Sequence, residues 1–461
     1  MNHTYKPSRG FEALGEDFFD PVRAANFPKA ILRYRNQRAA EEIGLGYFKD
    51  EAWLSHFCCF EPLLDNMAKP LALRYHGHQF GVYNPDIGDG RGFLFAQLYD
   101  QSGRLMDLGT KGSGKTPYSR FGDGRLTLKG AVREVLAAEM LQALGVPTCR
   151  ILSVVETGEQ LVRNDEPSPA RSAVMVRLSF GHVRIGMFEY HGDRKANLEA
   201  LLDYSLRNFY AASEAITRPL MEKVPYFLKR VSERCADLIA GYMVAGFVHG
   251  VLNSDNVNIS GESFDYGPYR FLPYFDPSFV AAYFDQQGLY AYGRQPAAMA
   301  WNLGLLAKQL YPLCPDDKVL NVAMEGFSKR LNDALIRRFF ARLGFAIPTE
   351  SEKVIAECFT WLKASQYGFD DFFRHGFLGG EDGNFAALGP DFPAEVKAAL
   401  RDNARLCEKG EPLPEVALPY ARIEQLWEAI CKNDDWQPFH TQIAHIRALG
   451  QRLKPSLRPS S

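Results

Sequence analysis

Glycine-rich loops between β-prone runs, followed at once by a helix, constrain the fold of this chain more than any other feature. The runs Phe93–Tyr99 and Leu105–Lys111 are separated by Asp100-Gln101-Ser102-Gly103, which is typical of a hairpin. The first glycine loop, Gly88-Asp89-Gly90-Arg91-Gly92, precedes the first run, and a second glycine loop, Gly122-Asp123-Gly124-Arg125, follows the second run. Tight turns that need glycine join neighbouring antiparallel strands, so this stretch predicts an antiparallel sheet with flexible glycine loops at its edge.

The sequence after this sheet has the three signals of a helix: an N-cap residue, apolar residues at helical spacing, and a glycine and a proline that end it. Thr127 is suited to the N-cap, and Gly145 and Pro147 end the pattern. Apolar residues recur with the 3.6-residue period of a helix at positions 132, 135, 136, 140, 143 and 144. Two more strand-like runs follow, and beyond about residue 200 the pattern is mainly helical. We therefore predict an α+β fold, β-rich in its first half and helical in its second.

Composition excludes several classes of function. The chain has 461 residues and 46% hydrophobic residues, enough for one large two-lobed enzyme or for two or three domains. Its net charge of −2 predicts no binding to nucleic acid and none to an anionic membrane surface. The eight cysteines form no C-x-x-C pair, and the N-terminus has no apolar leader, so we expect a cytoplasmic protein.

The segment GTKGSGKT, residues 109–116, spells a Walker A motif, but its surroundings do not suit a P-loop. A P-loop needs a helix that begins at its Lys-Thr pair, here Lys115 and Thr116, so that backbone N–H groups point at phosphate. Pro117, Gly122 and Gly124 follow instead, and they disfavour a helix there. We predict that Lys111, and not Lys115, is the lysine that meets a nucleotide.

A kinase-like ATP site fits the same residues better. Such a site needs, in order, a glycine loop, a strand lysine, a helix glutamate that pairs with it, a catalytic-loop asparagine and a metal-binding aspartate. The chain offers one candidate for each element in that order, and the asparagine stands seven residues after His249, as the kinase loop requires. These candidates are Gly88–Gly92, Lys111, Glu134, Asn256 and the Asp265 of Asp265-Tyr266-Gly267.

One departure from the kinase pattern bears on the chemistry. The position of the kinase catalytic aspartate, two residues after His249, is Val251. Valine cannot accept a proton, so ordinary protein phosphorylation is not expected. A carboxylate stands beside the asparagine instead, at Asp255, which suggests that the substrate or nucleotide is held in a different orientation.

Five long motifs closely resemble the SelO/YdiU (selenoprotein O) family, pseudokinase-fold protein adenylyltransferases. The motifs lie between about residues 70 and 330 and read YHGHQFGVYNPDIGDGRG, KTPYSRFGDGRLTLKGAVRE, VRLSFGHVRIGMFE, GFVHGVLNSDNVNISGESFDYGPY and DQQGLYAYGRQPAAMAWNLGLLA. The resemblance implies that ATP sits inverted relative to kinases, so that AMP is transferred to Ser, Thr or Tyr hydroxyls of protein substrates. It also implies Mg²⁺ or Mn²⁺ as the cofactor, and transfer of UMP from UTP in the presence of Mn²⁺ as a further activity.

The resemblance also assigns roles to individual residues. Asp255 is implied as the catalytic base, and Asn256 with Asp265 as the metal ligands. Arg177 and Arg184 resemble the family's pair that grips the far phosphates. The full set of implied nucleotide contacts is Gly88, Gly90, Arg91, Lys111, Asp123, Gly124, Glu134, Arg177, Arg184 and Asp265.

The sequence also suggests four segments and leaves other interpretations open. We expect an N-terminal extension over 1–65, a kinase-like small lobe over 66–190, a large lobe over 191–400 and a tail over 401–461. The resemblance favours adenylyl transfer, with a phosphotransferase or a silent nucleotide-binding scaffold as the alternatives. Asp255-Asn256 could also be a turn or a helix cap, and His249 fits a buried scaffold histidine better than a catalyst.

Overall fold

The computed structural model describes residues 4–164, 166–211, 213–380, 383–408 and 412–457. The strands are β1 Pro7–Ser8, β2 Phe19–Pro21, β3 Ile31–Arg35, β4 Leu71–Leu73, β5 Gly77–Gln79, β6 Val82–Asn84, β7 Leu94–Tyr99, β8 Leu105–Lys111, β9 Leu126–Thr127, β10 Arg150–Leu161, β11 Ala170–Ser179, β12 Phe247–Val248 and β13 Arg270–Phe271. The helices are α1 Gln37–Glu42, α2 Asp50–Phe57, α3 Leu128–Ala143, α4 Ile185–Tyr190, α5 Lys195–Phe209, α6 Ser213–Ile216, α7 Leu220–Ala245, α8 Gln295–Leu310, α9 Asp317–Leu343, α10 Ser351–Ser365, α11 Phe369–Gly376, α12 Ala394–Arg401, α13 Tyr420–Asn433 and α14 Gln437–Leu457. The mixed α+β class predicted from the sequence is therefore confirmed.

One antiparallel sheet contains most of the strands. Its order is β2-β4-β7-β8-β11-β10-β3, with β1 added beside β7 and β9 beside β11. The predicted hairpin is its centre, where Leu98 pairs with Met106 across β7 and β8. The segment predicted as an irregular N-terminal extension supplies β1, β2 and β3, each paired with a strand much later in the chain.

Alternation along β11 decides which side chains face the site. Val174 and Val176 pack into the core beneath α1 and α2, whereas Ala173 and Met175 pack toward α3. Because side chains alternate in a strand, Arg177 points to the same side as Met175. Lys111 is the register partner of Met175 on β8 and so shares that side.

Helix α3 crosses this side of the sheet and is almost completely buried. Thr127 caps it, since its hydroxyl accepts a hydrogen bond from the Gly130 amide, as the sequence predicts. The C-terminal helix α14 packs against α3, where Arg447 donates to both carboxylate oxygens of Glu139 at 2.6 and 2.8 Å. Helix α3 is thereby fixed from both sides.

The second half of the chain is helical, with the long helices α7 and α9 packed along each other. Helix α7 ends at Gly246, whose φ of 64° provides the left-handed C-cap. The chain then enters β12 and the loop that contains His249 and Asp255. In the described part of the chain, no helix combines the length and apolar character required to cross a membrane.

Candidate functional site

A cleft of about 630 Å³ lies between the glycine loops, the sheet and the loop that follows β12. It is lined by seven arginine or lysine side chains and four aspartates, an excess of positive charge that suits an anionic ligand. Ten of the twelve residues predicted from the sequence line it: Gly88, Gly90, Arg91, Lys111, Asp123, Gly124, Arg177, Arg184, Asp255 and Asp265. The other two do not line it: Glu134 contacts Lys111, and Asn256 follows Asp255 on the same turn.

Lys111 occupies the floor of the cleft at the end of β8. Its ammonium donates to Glu134 Oε1 from α3 and to Asp265 Oδ1 from the opposite wall. Both Lys111 and Glu134 are buried, and the second carboxylate oxygen of Glu134 has no hydrogen-bond partner in the structure. The structure thus brings together the lysine, the helix glutamate and the aspartate that were identified far apart in the sequence.

The Walker A geometry is absent from residues 109–127, all of which the structure describes. The Lys115 side chain is exposed and does not line the cleft, and the next helix begins only at Leu128. The chain after Lys115 instead folds back over the first glycine loop, where Thr116 donates to the Asp89 carbonyl and Ser119 to the Gly90 carbonyl. The P-loop interpretation is therefore excluded by the local structure.

The two glycine loops need glycine for space. A Cβ atom at Gly92 would lie 2.0 Å from the Thr110 carbonyl oxygen, and one at Gly124 would lie 2.3 Å from the Gly114 backbone. Asp123, at the rim beside Gly124, forms an ion pair with Arg163 at 2.8 Å. The second loop therefore presents backbone to the cleft, while its aspartate is already paired at the entrance.

Arg177 and Arg184 are buried cations with unused hydrogen-bond donors. Arg184 donates to the Asp255 carbonyl at 3.0 Å and to Asp89 Oδ1 at 3.2 Å, and its guanidinium lies 4.4 Å from the centre of the Tyr75 ring. Nη1 of Arg177 is 3.6 Å from Asp265 Oδ1, too far for a hydrogen bond. Three buried nitrogens, Nε and Nη1 of Arg177 and Nε of Arg184, have no acceptor in the protein. Since each unmet buried donor costs about 1 to 3 kcal/mol, the cleft is complementary to an oxyanion ligand.

Asp255 lies on a single 3-10 turn, Ser254–Asn256, opposite the first glycine loop. Its Oδ2 accepts a hydrogen bond from Gln79 Nε2 at 3.3 Å, and its Oδ1 is buried without a partner. Burial raises the pKa of Asp255 to about 6, although the positive charge of Arg184 opposes that rise. This rise in pKa could not be predicted from the sequence, since no residue near Asp255 in sequence shows that Gly77 and Gln79 cover it.

Asp265 and Asn256 are the predicted metal ligands. Burial raises the pKa of Asp265, but Lys111, Arg177 and Arg184 together hold it well below its usual range, so the carboxylate is ionised. Asn256 Nδ2 donates to the Val251 carbonyl at 2.9 Å, which fixes the orientation of the amide. Within the described residues no cluster of three or more His, Cys, Asp or Glu side chains could hold a metal ion. One carboxylate and one amide oxygen nevertheless fit Mg²⁺, which is usually bound by one or two protein ligands together with substrate phosphates and water.

Among the residues that were not predicted from the sequence, two hold predicted site residues in place. Gln79 holds the Asp255 carboxylate, and Asp89, buried in the first glycine loop, holds both Arg184 and the Leu73 amide. An aspartate within a glycine-rich loop is weakly indicative of such a role, whereas nothing in the sequence near Gln79 relates it to Asp255. His249 is a buried scaffold residue, as the sequence predicts, with its Nε2 3.0 Å from the Phe264 carbonyl oxygen.

Comparison with known proteins gives consistent matches over nearly the whole chain. A family model described as Protein adenylyltransferase SelO matches residues 1–378, which include every residue of the cleft. Proteins named protein nucleotidyltransferase YdiU from Synechocystis sp. and Trichodesmium erythraeum are each 42% identical, covering 97% of this chain and 98% of their own length. A protein of the same name from Vibrio cholerae is 37% identical over 83% of this chain and 76% of its own.

Proposed function

The chain belongs to the SelO family and is a nucleotidyltransferase, and we propose that it transfers AMP from ATP to Ser, Thr or Tyr hydroxyls of other proteins. Pyrophosphate is the leaving group. The observation that supports the proposal is that the same cleft holds two buried arginines with unused donors and the Asp255 carboxylate with an unused acceptor.

The arginines suit the leaving group. When a hydroxyl oxygen attacks the α-phosphorus, the bond from that phosphorus to the bridging oxygen breaks, and negative charge builds on the departing pyrophosphate. Arg177 and Arg184 can place planar N–H groups against its oxygens, because Nε of each residue has no acceptor in the protein. Preorganised donors of this kind stabilise the transition state more than the ground state.

Asp255 suits the role of general base. Its Oδ1 has no partner, so it can accept the proton of the attacking hydroxyl while Gln79 holds Oδ2 in place. A pKa of about 6 makes Asp255 a better proton acceptor than an exposed aspartate and leaves it mostly ionised at neutral pH. Val251, at the kinase position of the base, cannot accept a proton, so Asp255 takes that role.

Asp265 and the amide oxygen of Asn256 would hold Mg²⁺ or Mn²⁺ beside Lys111. The metal supplies Lewis-acid neutralisation of phosphate charge when it is bound. Lys111 contributes a fixed ammonium next to it, oriented by Glu134. Asp265, ionised because of its cationic neighbours, is ready to bind a cation without first losing a proton.

We further propose that the architecture is a two-lobed, kinase-like one. The sheet with α3 would be the small lobe, residues 66–190, and the helical part the large lobe, residues 191–400. The 1–65 extension and the 401–461 tail would then both support the small lobe. The contacts of β3 with β10 and of α14 with α3 agree with that division.

The decisive experiment compares ATP labelled at the α-phosphorus with ATP labelled at the γ-phosphorus. We expect protein-bound label from the α position only, and its loss in Asp255→Asn. Asp193→Asn, at an exposed aspartate that does not line the cleft, is the matched control. Label from the γ position alone would establish a phosphotransferase, and binding without any transfer would establish a silent scaffold.

The same assay with UTP, and with Mn²⁺ in place of Mg²⁺, tests UMP transfer. A UMP adduct that forms only with Mn²⁺ and disappears in Asp255→Asn would assign uridylyl transfer to this cleft. A mass spectrum of the protein acceptor distinguishes the AMP adduct from the UMP adduct directly.

A further inference from the structure

Four exposed apolar side chains lie near the loop that contains Asp255, and none of them lines the cleft. Phe80, Val82, Tyr283 and Phe284 are 36%, 69%, 83% and 47% exposed, and we call them the aromatic surface. The rings of Phe80 and Phe284 are 5.7 Å apart, and those of Tyr283 and Phe284 are 5.1 Å apart. They come from two segments separated by about two hundred residues, so the cluster is a product of the fold.

The aromatic surface rests on a rigid base. The Phe80 amide donates to Asn253 Oδ1 at 3.2 Å, and the Tyr290 hydroxyl donates to the same oxygen at 2.6 Å. Asp285, next to Phe284, is buried and accepts the amides of Leu289 and Tyr290, both at 2.8 Å. Both segments are therefore fixed to the loop that leads into Asp255, and the apolar side chains remain outside although the backbone is ordered.

The aromatic surface is continuous with the proposed catalytic centre. Gln79, which precedes Phe80, lines the cleft and donates to the Asp255 carboxylate at 3.3 Å. Val82 is the register partner of Gln79 in the β5–β6 hairpin, so both side chains emerge on the same face. A substrate segment that reaches Asp255 on the Gln79 side of the cleft would therefore lie next to Val82 and Phe80.

We propose that the aromatic surface docks the protein substrate and selects acceptor hydroxyls that have an apolar residue nearby in sequence. This inference rests on the proposed function and names its substrate preference. Phe80 and Val82 adjoin Gln79, which contacts Asp255, so an extended substrate that advances about 3.3 Å per residue needs only about four residues between its hydroxyl and the docked apolar side chain. Docking would orient the hydroxyl toward Asp255 Oδ1, and neither ATP nor a metal ion would gain from these side chains.

The size of the aromatic surface favours a transient substrate over a second copy of the chain. Four side chains at these exposures offer on the order of 400 Å², which is typical of a functional patch on a monomer. A stable dimer buries about 800 Å² on each partner, roughly twice as much. Weak and reversible docking is also what an enzyme that must release its product requires.

The experiment uses two sets of short peptides with one central threonine. One set has only Gly, Asn and Lys around it, and the other has a single Phe at each position within four residues of it. AMP adducts are measured by mass spectrometry for the wild type and for Tyr283→Ser and Val82→Ser. Tyr47→Ser and Val322→Ser are the controls, since Tyr47 is 71% and Val322 62% exposed and neither lines the cleft.

With the wild type, we expect kcat/KM to be about tenfold higher for the best Phe peptides than for the polar set, the scale of one apolar side chain buried at an interface. Tyr283→Ser and Val82→Ser should remove that preference by raising KM, with kcat and polar-peptide activity unchanged, and the two controls should retain it. All four positions are exposed, so folding should be preserved, and thermal unfolding checks this.

Three results would overturn the inference. Equal use of both peptide sets by the wild type, or a preference that survives both variants, rejects the docking surface but leaves adenylyl transfer intact. A wild-type dimer that Tyr283→Ser dissociates, seen by light scattering, assigns the surface to a second copy. Absence of AMP on either peptide set and on denatured casein rejects the proposed function itself.

Discussion

Lys111→Met provides the sharpest test of the site, because it keeps the length of the side chain and removes its charge. In the structure the ammonium contacts both Glu134 and Asp265 and borders the cleft. A hydrogen bond to a charged group is worth about 1.5 to 3 kcal/mol. We therefore expect ATP to bind roughly ten- to 150-fold more weakly to Lys111→Met.

The same substitution should also destabilise the protein. Glu134, with a side chain only 2% exposed, would keep a buried negative charge without its cation. Breaking one partner from a buried ion pair costs about 3 to 5 kcal/mol. The double variant Lys111→Met/Glu134→Gln removes that charge, so we expect it to regain most of the lost stability without regaining ATP affinity. This separates a binding defect from a folding defect.

The assay is calorimetric titration with α,β-methylene-ATP and Mg²⁺, together with thermal unfolding of each variant. Lys115→Met is the matched control, since Lys115 is exposed four residues away and should change the affinity by less than about twofold. Lys111 would not be the lysine that meets the nucleotide if Lys115→Met abolished ATP binding while Lys111→Met spared it. That result would restore the Walker A interpretation of the segment.

Three further outcomes follow from the site and its support. The rate of AMP transfer should fall about tenfold per pH unit below about pH 6, because burial raises the pKa of Asp255 to about 6 and the base is protonated below that pH. A profile of kcat/KM from pH 5 to 8 checks this, and a flat profile contradicts it. Arg177→Lys should lower kcat/KM by about tenfold or more, since an ammonium cannot replace a planar fork, and full activity in this variant would rule out a bidentate contact. Arg447→Ala should lower the free energy of unfolding by about 2 to 3 kcal/mol, because it leaves buried Glu139 without its cation. Lys432→Ala, which breaks the exposed pair with Glu428, should lower it by less than about 1 kcal/mol, and urea unfolding measures both.

The local pattern around Lys111 could be predicted because it depends on short-range signals. The hairpin turn, the Thr127 cap and the apolar period of α3 each lie within one window of sequence, and the structure has all three. The register that brings Lys111 beside Met175, and so beneath Glu134, follows from the sheet only once its strands are paired. The strand pairing could not be read from the sequence, so the grouping of Lys111 with Glu134 was predicted from the kinase-like order of the candidate residues along the chain.

The N-terminal strands could not be predicted in the same way. β1 and β2 have two and three residues, too short to show alternation, and β1 pairs with a strand about ninety residues away. They are strands because they pair with β7 and β4 of the sheet, and not because of a pattern in their own residues. The pKa of Asp255 was missed for a related reason, because its cause is burial by the Gly77–Gln79 strand far away in sequence.

The unused hydrogen-bonding capacity of the cleft bears on whether it binds nucleotide or also turns it over. Asp265 stops 3.6 Å from Arg177, so the protein leaves the guanidinium donors unmet at a cost of about 1 to 3 kcal/mol each. A site for storing nucleotide would benefit from such donors alone. It would gain nothing from Asp255, a buried carboxylate whose free oxygen repels phosphate. A chain that retains both has a cleft complementary to two partners at once, an anionic phosphate chain and a hydroxyl that must lose its proton, and this combination favours group transfer over a silent scaffold.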